Sequence, residues 1–324
     1  MSRRNRAPAR RSYPWSDMDP DRRNAVLLVG GIGVVVLFSL ALIAYGYYND
    51  KIAPNHEKVL HVGNHSYDYS FLKRRVKADL SENKIDISKE EAIPGVLTDI
   101  EREAVLREAA KRDGVAATEA EIEAQIAKNL QMAPETSRNQ VASVLRARLL
   151  KNGLSLSEYE DIVRAQVAET KIKEQIESSI PVQAEQVAVR LISTSAQSAA
   201  ILAKQRIEAG ESFAVVAASV SQDASKATAG DLGLVPHGAL PPEVDKVAFS
   251  ITGLSDVIET KDAFYLIEVL GKEVSVVGGE ARERVLSTGY ATKLSETRDA
   301  IGSHVSLNIG QVRRILGDVS ASRA

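Results

Sequence analysis

The 324-residue chain contains no cysteine, one tryptophan, three methionines and five histidines, and its aromatic content is only 5%. The absence of cysteine excludes disulfides, thiolate metal sites, a thiol nucleophile and lipid attachment to an N-terminal cysteine. A strong charge of one sign is also missing, because the formal net charge is −2. The overall balance therefore gives no reason to expect a nucleic-acid partner. The length allows two or three domains with buried cores.

The longest hydrophobic run covers residues 25–48, carries no charge and is long enough to cross a bilayer as a helix. Three tyrosines gather at its far end, where aromatic rings favour the membrane interface, and arginines precede it. We expect a single transmembrane helix over 25–48, a basic tail over 1–24 in the cytoplasm, and export of everything that follows. A cleaved signal peptide is the alternative, although its apolar region is usually shorter, about 7–15 residues.

Residues 55–181 read as a mostly helical region that follows a short linker. Val59, Leu60 and Val62 lead into a Gly63-Asn64 turn, which predicts a small hairpin. Apolar residues then recur at helical spacing, with a capping box at Thr118 and further helices ending at Gly114 and Gly153. Another helix is predicted to begin at Ser157 and to be closed by Pro181.

Three of the five histidines lie close together in this hairpin, at His56, His61 and His65. A metal site would need two of them on one strand face, and a turn lies between His61 and His65. We interpret the group as an incidental surface cluster, and we predict neither a metal site nor a cofactor.

From Val182 onward the pattern changes from helical to mixed. Val187, Val189 and Leu191 alternate with less apolar residues and predict a strand, helices follow up to Val220, and residues 263–270 predict a closing strand. Between them, AGDLGLVPHGALPPEVDKVAF predicts a tight turn, a strand and an amphipathic helix. This order indicates a compact α+β domain of about ninety residues.

Residues 189–270 resemble the parvulin-type peptidyl-prolyl isomerase domain. The matching segments, in order, are VRLIS, IEAGESFAVVAASVS, GDLG, GALPPEVDKVAF, SITGLSDVIET and AFYLIEVL. The helical region is similar to the N-terminal chaperone domain of the exported SurA, PpiD and PrsA folding factors, through VLREAAKRDGVAATEAEIEAQI and LLKNGLSLSEYEDIVRAQV.

The resemblance implies an α+β fold class in which a parvulin-like domain, residues 182–274, is inserted into a helical chaperone domain. That domain would span 55–181 and be completed by 275–316, leaving 317–324 as a tail. A helix is predicted from Glu280 to Ile301, and the strand Val305–Ile309 is expected to pair near Val59–Val62.

The chemistry implied by the resemblance is rotation about an X–Pro bond, whose barrier in water is about 18–20 kcal/mol. By the family pattern, an apolar pocket for the proline ring would be formed by Leu232, Leu240, Val244 and Phe249. Asp223 occupies the position of the family's Cys or Asp, and its alternative interpretation is an exposed turn carboxylate.

The two histidines of the family are missing from this chain. The first is replaced by Arg190, or by Leu191 if the register slips by one, and the second is replaced by Tyr265. A guanidinium and a phenol donate hydrogen bonds but do not reproduce a paired-imidazole network. We therefore expect weak or absent isomerase activity from Asp223, Tyr265 and Arg190, while His237 is interpreted as a solvent-facing loop residue.

The resulting hypothesis is a bacterial single-pass membrane protein whose extracytoplasmic part binds unfolded or proline-containing exported polypeptides. The bilayer contact would be residues 25–48, and a homodimer is possible. Two alternatives stay open: a fully competent prolyl isomerase, and a non-catalytic structural or assembly subunit that retains the fold.

Overall fold

The computed structural model describes residues 19–82, 84–86 and 92–321. The chain divides into two compact units, one formed by residues 1–58 with 68–70 and the other by 59–67 with 71–324. Most of the predicted basic tail, residues 1–18, lies outside the described residues.

The first unit is built around one long helix, α1 (Pro20–Tyr47). Asp19 caps its N-terminus by accepting a hydrogen bond from the backbone N–H of Asp21 at 3.4 Å. The segment Leu27–Tyr47 has a mean hydropathy of 2.7 and none of its most apolar window is buried. Its length and composition suit a membrane-spanning helix, and a signal sequence near the N-terminus has the same properties.

The helical part of the second unit begins with a hairpin, as the Gly63-Asn64 turn predicts. Its elements are β1 (Lys58–Val62), β2 (His65–Asp68), α2 (Tyr69–Ser81), α3 (Ala92–Arg112), α4 (Glu119–Asn129), α5 (Arg138–Asn152) and α6 (Leu156–Ser179). The capping box at Thr118 is confirmed. The predicted helix start at Ser157 is wrong, because Ser155 is the N-cap and forms a capping box with Glu158.

The mixed part follows directly. It contains β3 (Gln183–Thr194), α7 (Gln197–Glu208), α8 (Phe213–Val220), β4 (Asp231–Pro236), α9 (Pro242–Ala248), β5 (Gly253–Leu254), β6 (Ile258–Glu259) and β7 (Phe264–Val276). The strands form an antiparallel sheet in the order β4-β3-β7-β5, and β6 also pairs with β7. With a mostly helical region before it, this sheet confirms the predicted α+β class.

The C-terminal segment returns to the helical part. It comprises α10 (Gly279–Ile301), β8 (Ser303–Val305) and α11 (Ile309–Ala321). The expected pairing is confirmed, since Leu60 lies opposite Val305 and the second sheet has the order β2-β1-β8. The predicted strand extent is wrong: the strand ends at Val305, and Ile309 begins a helix that runs through most of the predicted tail.

The helical core gathers where α3, α6 and α10 meet. Leu106 of α3 and Ile172 of α6 are buried there, and Tyr290 and Leu294 of α10 pack against the same cluster. A second cluster joins α4, α5 and α6 around Val163. The mixed part, residues 183–276, therefore lies in sequence between segments that pack together.

One buried ionic network crosses the helical part. The Arg75 guanidinium donates to both carboxylate oxygens of Glu103, at 2.9 and 2.7 Å, and to Asp79 at 2.9 Å. Burial alone would lower the pKa of Arg75, but the hydrogen bonds and charges of Glu103 and Asp79 outweigh it and raise that pKa. The cation is thus paired on two sides.

Candidate functional site

The candidate site lies on one face of the β4-β3-β7-β5 sheet. Successive side chains of a strand point to opposite faces, so β3 presents Val187, Val189 and Leu191 on one side and Ile192 on the other. Ile192 packs with Phe213 of α8. We call the opposite side, covered by α9 and the loop before it, the α9 face.

The residues predicted to hold a proline ring all come together on the α9 face. Leu232, Leu240 and Val244 belong to one buried cluster, with exposed fractions of 9%, 3% and 0%. Phe249 packs against the same cluster and is partly buried. Three of the four residues therefore line the interior of the site rather than an exposed wall.

The GDLG turn leads into β4 and brings it against β3 through a close backbone approach at Gly230. Gly230 has φ +86°, and its carbonyl oxygen accepts a hydrogen bond from the backbone N–H of Leu191 at 2.8 Å. A Cβ at this position would lie 2.8 Å from the carbonyl oxygen of Leu191. Only glycine tolerates both the conformation and the contact, which explains the residue type at this turn.

The polar side of the α9 face is centred on Tyr265 of β7. Tyr265 lies directly opposite Ser193 of β3 and is partly buried. Burial raises the pKa of the Tyr265 phenol, a hydrogen bond with the Ser193 side chain lowers it, and the charge of Asp223 raises it further. A phenol kept neutral in this way is a hydrogen-bond donor at the edge of an apolar surface.

Asp223 contributes to the site through its charge, and its carboxylate has a structural role as well. It caps the 3-10 helix Ala224–Thr228, because Oδ1 accepts a hydrogen bond from the Ser225 backbone N–H at 2.8 Å. The side chain is partly buried. The carboxylate is thus a turn cap that is partly buried rather than exposed, and its charge raises the pKa of Tyr265.

The structure does not bring Arg190 to the other predicted residues. Arg190 pairs in register with Glu268 and forms an ion pair with it at 3.2 Å, on the face opposite Tyr265. Because side chains alternate, Leu191 shares the α9 face with Tyr265. Of the two residues predicted to replace the family's first histidine, Leu191 therefore shares the face of Tyr265 and Arg190 does not.

His237 has partners that the sequence does not predict. Its ring stacks on Phe249 with a centroid distance of 3.4 Å, and Nδ1 lies 2.9 Å from Oδ2 of Asp245. The side chain is still 62% exposed, as expected of a loop residue. Sequence reasoning also misses Ser193, although its even spacing from Leu191 along β3 was the available signal.

Beside the α9 face is a cavity of about 720 Å³. Ile172 and Ile176 of α6 and Thr292 of α10 line one side, and His237 and Leu240 line the other. Helix α10 meets the sheet domain there, where Thr288 donates from its hydroxyl to the Ala239 carbonyl oxygen at 3.2 Å. A cleft that joins the helical part to the sheet thus has both apolar and charged walls, and the charged residues in its lining are Asp113, Asp245, Lys246, Lys293 and Glu296.

Two family descriptions match the chain. Residues 180–271 match the PPIC-type PPIASE domain, and residues 21–173 match the SurA-like N-terminal domain. The first match contains the entire α9 face, and the second begins inside α1 and ends inside α6.

Individual relatives are similar over part of their length. Chaperone SurA of Burkholderia thailandensis is 28% identical over 119 residues, covering 33% of this chain and 27% of that protein. Foldase protein PrsA of Caldanaerobacter subterraneus subsp. tengcongensis is 30% identical over 181 residues, covering 54% and 56%. The chain thus spans about a quarter of the SurA relative and about half of the PrsA relative.

Among solved structures, PrsA from Bacillus anthracis matches with a TM-score of 0.35 and 19% identity, covering 70% of this chain and 96% of that one. The parvulin domain of PpiD from E. coli matches with a TM-score of 0.26 and 23% identity, covering 29% and 93%. By the two family matches, the chain carries a PPIC-type peptidyl-prolyl isomerase domain, a parvulin, at residues 180–271, behind a SurA-like N-terminal domain at residues 21–173.

Proposed function

We propose that this chain is a membrane-anchored extracytoplasmic folding factor that binds unfolded exported polypeptides and isomerises X–Pro bonds weakly. The observation that carries the proposal is the gathering of Leu232, Leu240, Val244 and Tyr265 on one face of the sheet. SurA is named a chaperone and PrsA a foldase among the relatives, which supports a role in protein folding.

The anchor in this proposal is α1. Its apolar segment, Leu27–Tyr47, is exposed along its length, and such a surface is stable in hydrocarbon rather than in water. The arginines that precede it in the sequence favour a cytoplasmic N-terminus. Protease added outside spheroplasts should then degrade the C-terminal part, and full protection would contradict the topology.

Weak isomerisation follows from what surrounds Tyr265. Its neighbours on the α9 face are Leu191 and Ser193, so one phenol and one hydroxyl replace a pair of imidazoles. Phe249 and Tyr265, the partly buried rings that pack on the apolar cluster, can take the proline ring out of water, which favours the twisted imide, but few donors are available to stabilise it. We expect binding of proline-containing segments to exceed catalysis.

The isomerase test uses the full chain in nanodiscs and a proline tetrapeptide, with empty nanodiscs as the control. Because loss of one preorganised donor costs about 10²–10³-fold in other enzymes, we expect turnover close to that of empty nanodiscs. Tyr265→Phe should abolish any residual isomerase activity. Tyr265→His alone should give no large gain, since Leu191 and Ser193 remain beside it. Fast wild-type turnover, or a large gain from that single change, would contradict the proposal.

The binding test separates a folding factor from a non-catalytic assembly subunit. At a stoichiometric ratio the full chain in nanodiscs should suppress aggregation of an unfolded client. Thr292→Trp would fill the cleft that Thr292 and Leu240 line and should weaken the effect, whereas Ser287→Trp, on an exposed part of α10 outside the cleft lining, should not. A chain without any effect on aggregation would favour the assembly subunit.

A further inference from the structure

Two histidines from opposite ends of the second unit meet on its small sheet. His61 of β1 lies directly opposite His304 of β8 in the antiparallel register, and both side chains are exposed. Their neighbours in the register are Leu60 with Val305 and Val62 with Ser303. The sequence cluster of His56, His61 and His65 does not predict this pair, because His304 lies more than two hundred residues further along the chain.

The register of the pair is fixed on both sides by backbone hydrogen bonds. The Gly63 N–H donates to the Gly302 carbonyl oxygen and the Ser306 N–H donates to the Val59 carbonyl oxygen, both at 2.9 Å. Side chains that face each other across antiparallel strands have Cβ atoms about 4.5–5.5 Å apart and point to the same face. Two imidazoles at that separation can reach one cation, whose bonds to histidine nitrogen are about 2.0–2.1 Å for zinc.

The orientation of one ring is also set. The Ser66 hydroxyl oxygen lies 2.9 Å from Nδ1 of His61. In the tautomer that carries its proton on Nδ1, this nitrogen donates to the Ser66 hydroxyl oxygen and Nε2 is left to bind a metal. Such an outer partner typically fixes the ring orientation of a histidine ligand.

We propose that His61 and His304 form a two-histidine site for a divalent transition metal of the zinc and nickel class. Imidazole is a preferred ligand of these ions, and water would complete the coordination because no group of three or more metal-binding side chains occurs among residues 19–82, 84–86 and 92–321. Bound metal would cross-link β1 to β8, and so hold the returning C-terminal segment on the helical part.

The test measures metal binding by the tag-free full chain in an uncharged detergent. The chain competes with a chromophoric chelator for Zn²⁺ and, separately, for Ni²⁺. We expect one ion per chain. His61→Asn or His304→Asn should weaken binding by at least the roughly 10–100-fold that losing an outer partner costs, and Ser66→Ala should weaken it less than either.

His65→Asn is the matched control, because His65 is an exposed histidine of the same sheet that does not lie opposite His304. It should leave the affinity unchanged. Equal losses in all three histidine variants, or wild-type binding no tighter than that of the His61→Asn/His304→Asn double variant, would overturn the proposal. Half an ion per chain with a doubled molecular mass would instead show a site between two copies, and would also overturn it.

A second measurement does not depend on the chelator. Metal that binds the folded chain alone raises its melting temperature in a concentration-dependent manner. Zn²⁺ should raise the Tm of the wild type and of His65→Asn, and it should leave the Tm of the double variant unchanged. Because both ligands are exposed, the variants are expected to fold, and a Zn²⁺-dependent shift that persists in the double variant would refute the site.

Discussion

The contact at Gly230 gives a sharp test of how the parvulin domain is assembled. In Gly230→Ala the new Cβ would lie 2.8 Å from the Leu191 carbonyl oxygen, 3.0 Å from Cβ of Ala217 and 3.3 Å from Cε1 of Phe213. Gly233, in the same turn, provides the control. It also has a positive φ, +66°, but a Cβ there would meet nothing within 4 Å.

The two substitutions share one cost and differ in another. An L-residue in the left-handed region costs about 1–2 kcal/mol, which is the whole expected effect of Gly233→Ala. Gly230→Ala adds overlap with a backbone oxygen that cannot rotate away, and overpacking typically costs about 1–3 kcal/mol more. The expected losses are therefore about 1–2 kcal/mol for Gly233→Ala and about 2–5 kcal/mol for Gly230→Ala.

The assay is hydrogen exchange on the full chain, read at the Leu191 amide, whose hydrogen bond goes to the Gly230 carbonyl oxygen at 2.8 Å. A local readout is appropriate because a chain with two compact units has no single unfolding free energy. Gly230→Ala should accelerate this exchange far more than Gly233→Ala. Equal protection in the two variants would refute the close-approach argument, since it would leave only the shared backbone cost.

Two further predictions concern charge. Asp223→Asn should lower the pKa of Tyr265, because it removes a negative charge that disfavours the phenolate. Absorbance titration at alkaline pH measures the change, and Tyr265→Phe identifies which signal belongs to Tyr265. The stability that comes from the neutral phenol is present below the usual tyrosine pKa of 10.0 and is lost as the pH rises through the higher pKa of the folded state. A Tyr265 titration that Asp223→Asn leaves unchanged would contradict the effect of this carboxylate on Tyr265. Glu103→Ala should destabilise the helical part by about 3–5 kcal/mol by stripping Arg75 of a buried partner, with Asp79 retaining part of the pairing; an unchanged thermal transition would contradict this.

Much of the α9 face could be predicted from sequence because its determinants are local. The GDLG turn and the segment from Gly238 to Phe249 have a recognisable order, and their apolar residues at helical spacing fix which side of α9 is buried. This local pattern predicts that Leu240 and Val244 lie on one side, and both belong to one buried cluster.

The polar side was less predictable because it depends on a register. Arg190 and Leu191 are adjacent in sequence, and a one-residue difference places a side chain on the opposite face of a strand. Only the pairing with β7 shows that Arg190 faces Glu268 while Leu191 shares the face of Tyr265. The same limitation applies to the His61–His304 pair, since the resemblance predicts that the two segments pair but not the register that places His304 opposite His61.

The pairing of β1 with β8 has a consequence for the order of events during synthesis. The sheet domain closes with β7 and contains its own strand partners, so its folding can proceed as soon as residue 276 has emerged. Strand β1 is made long before, yet its neighbour β8 emerges only after β7 and α10. The edge of β1 that pairs with β8 therefore stays open until residue 305 has emerged, after the whole sheet domain has been made.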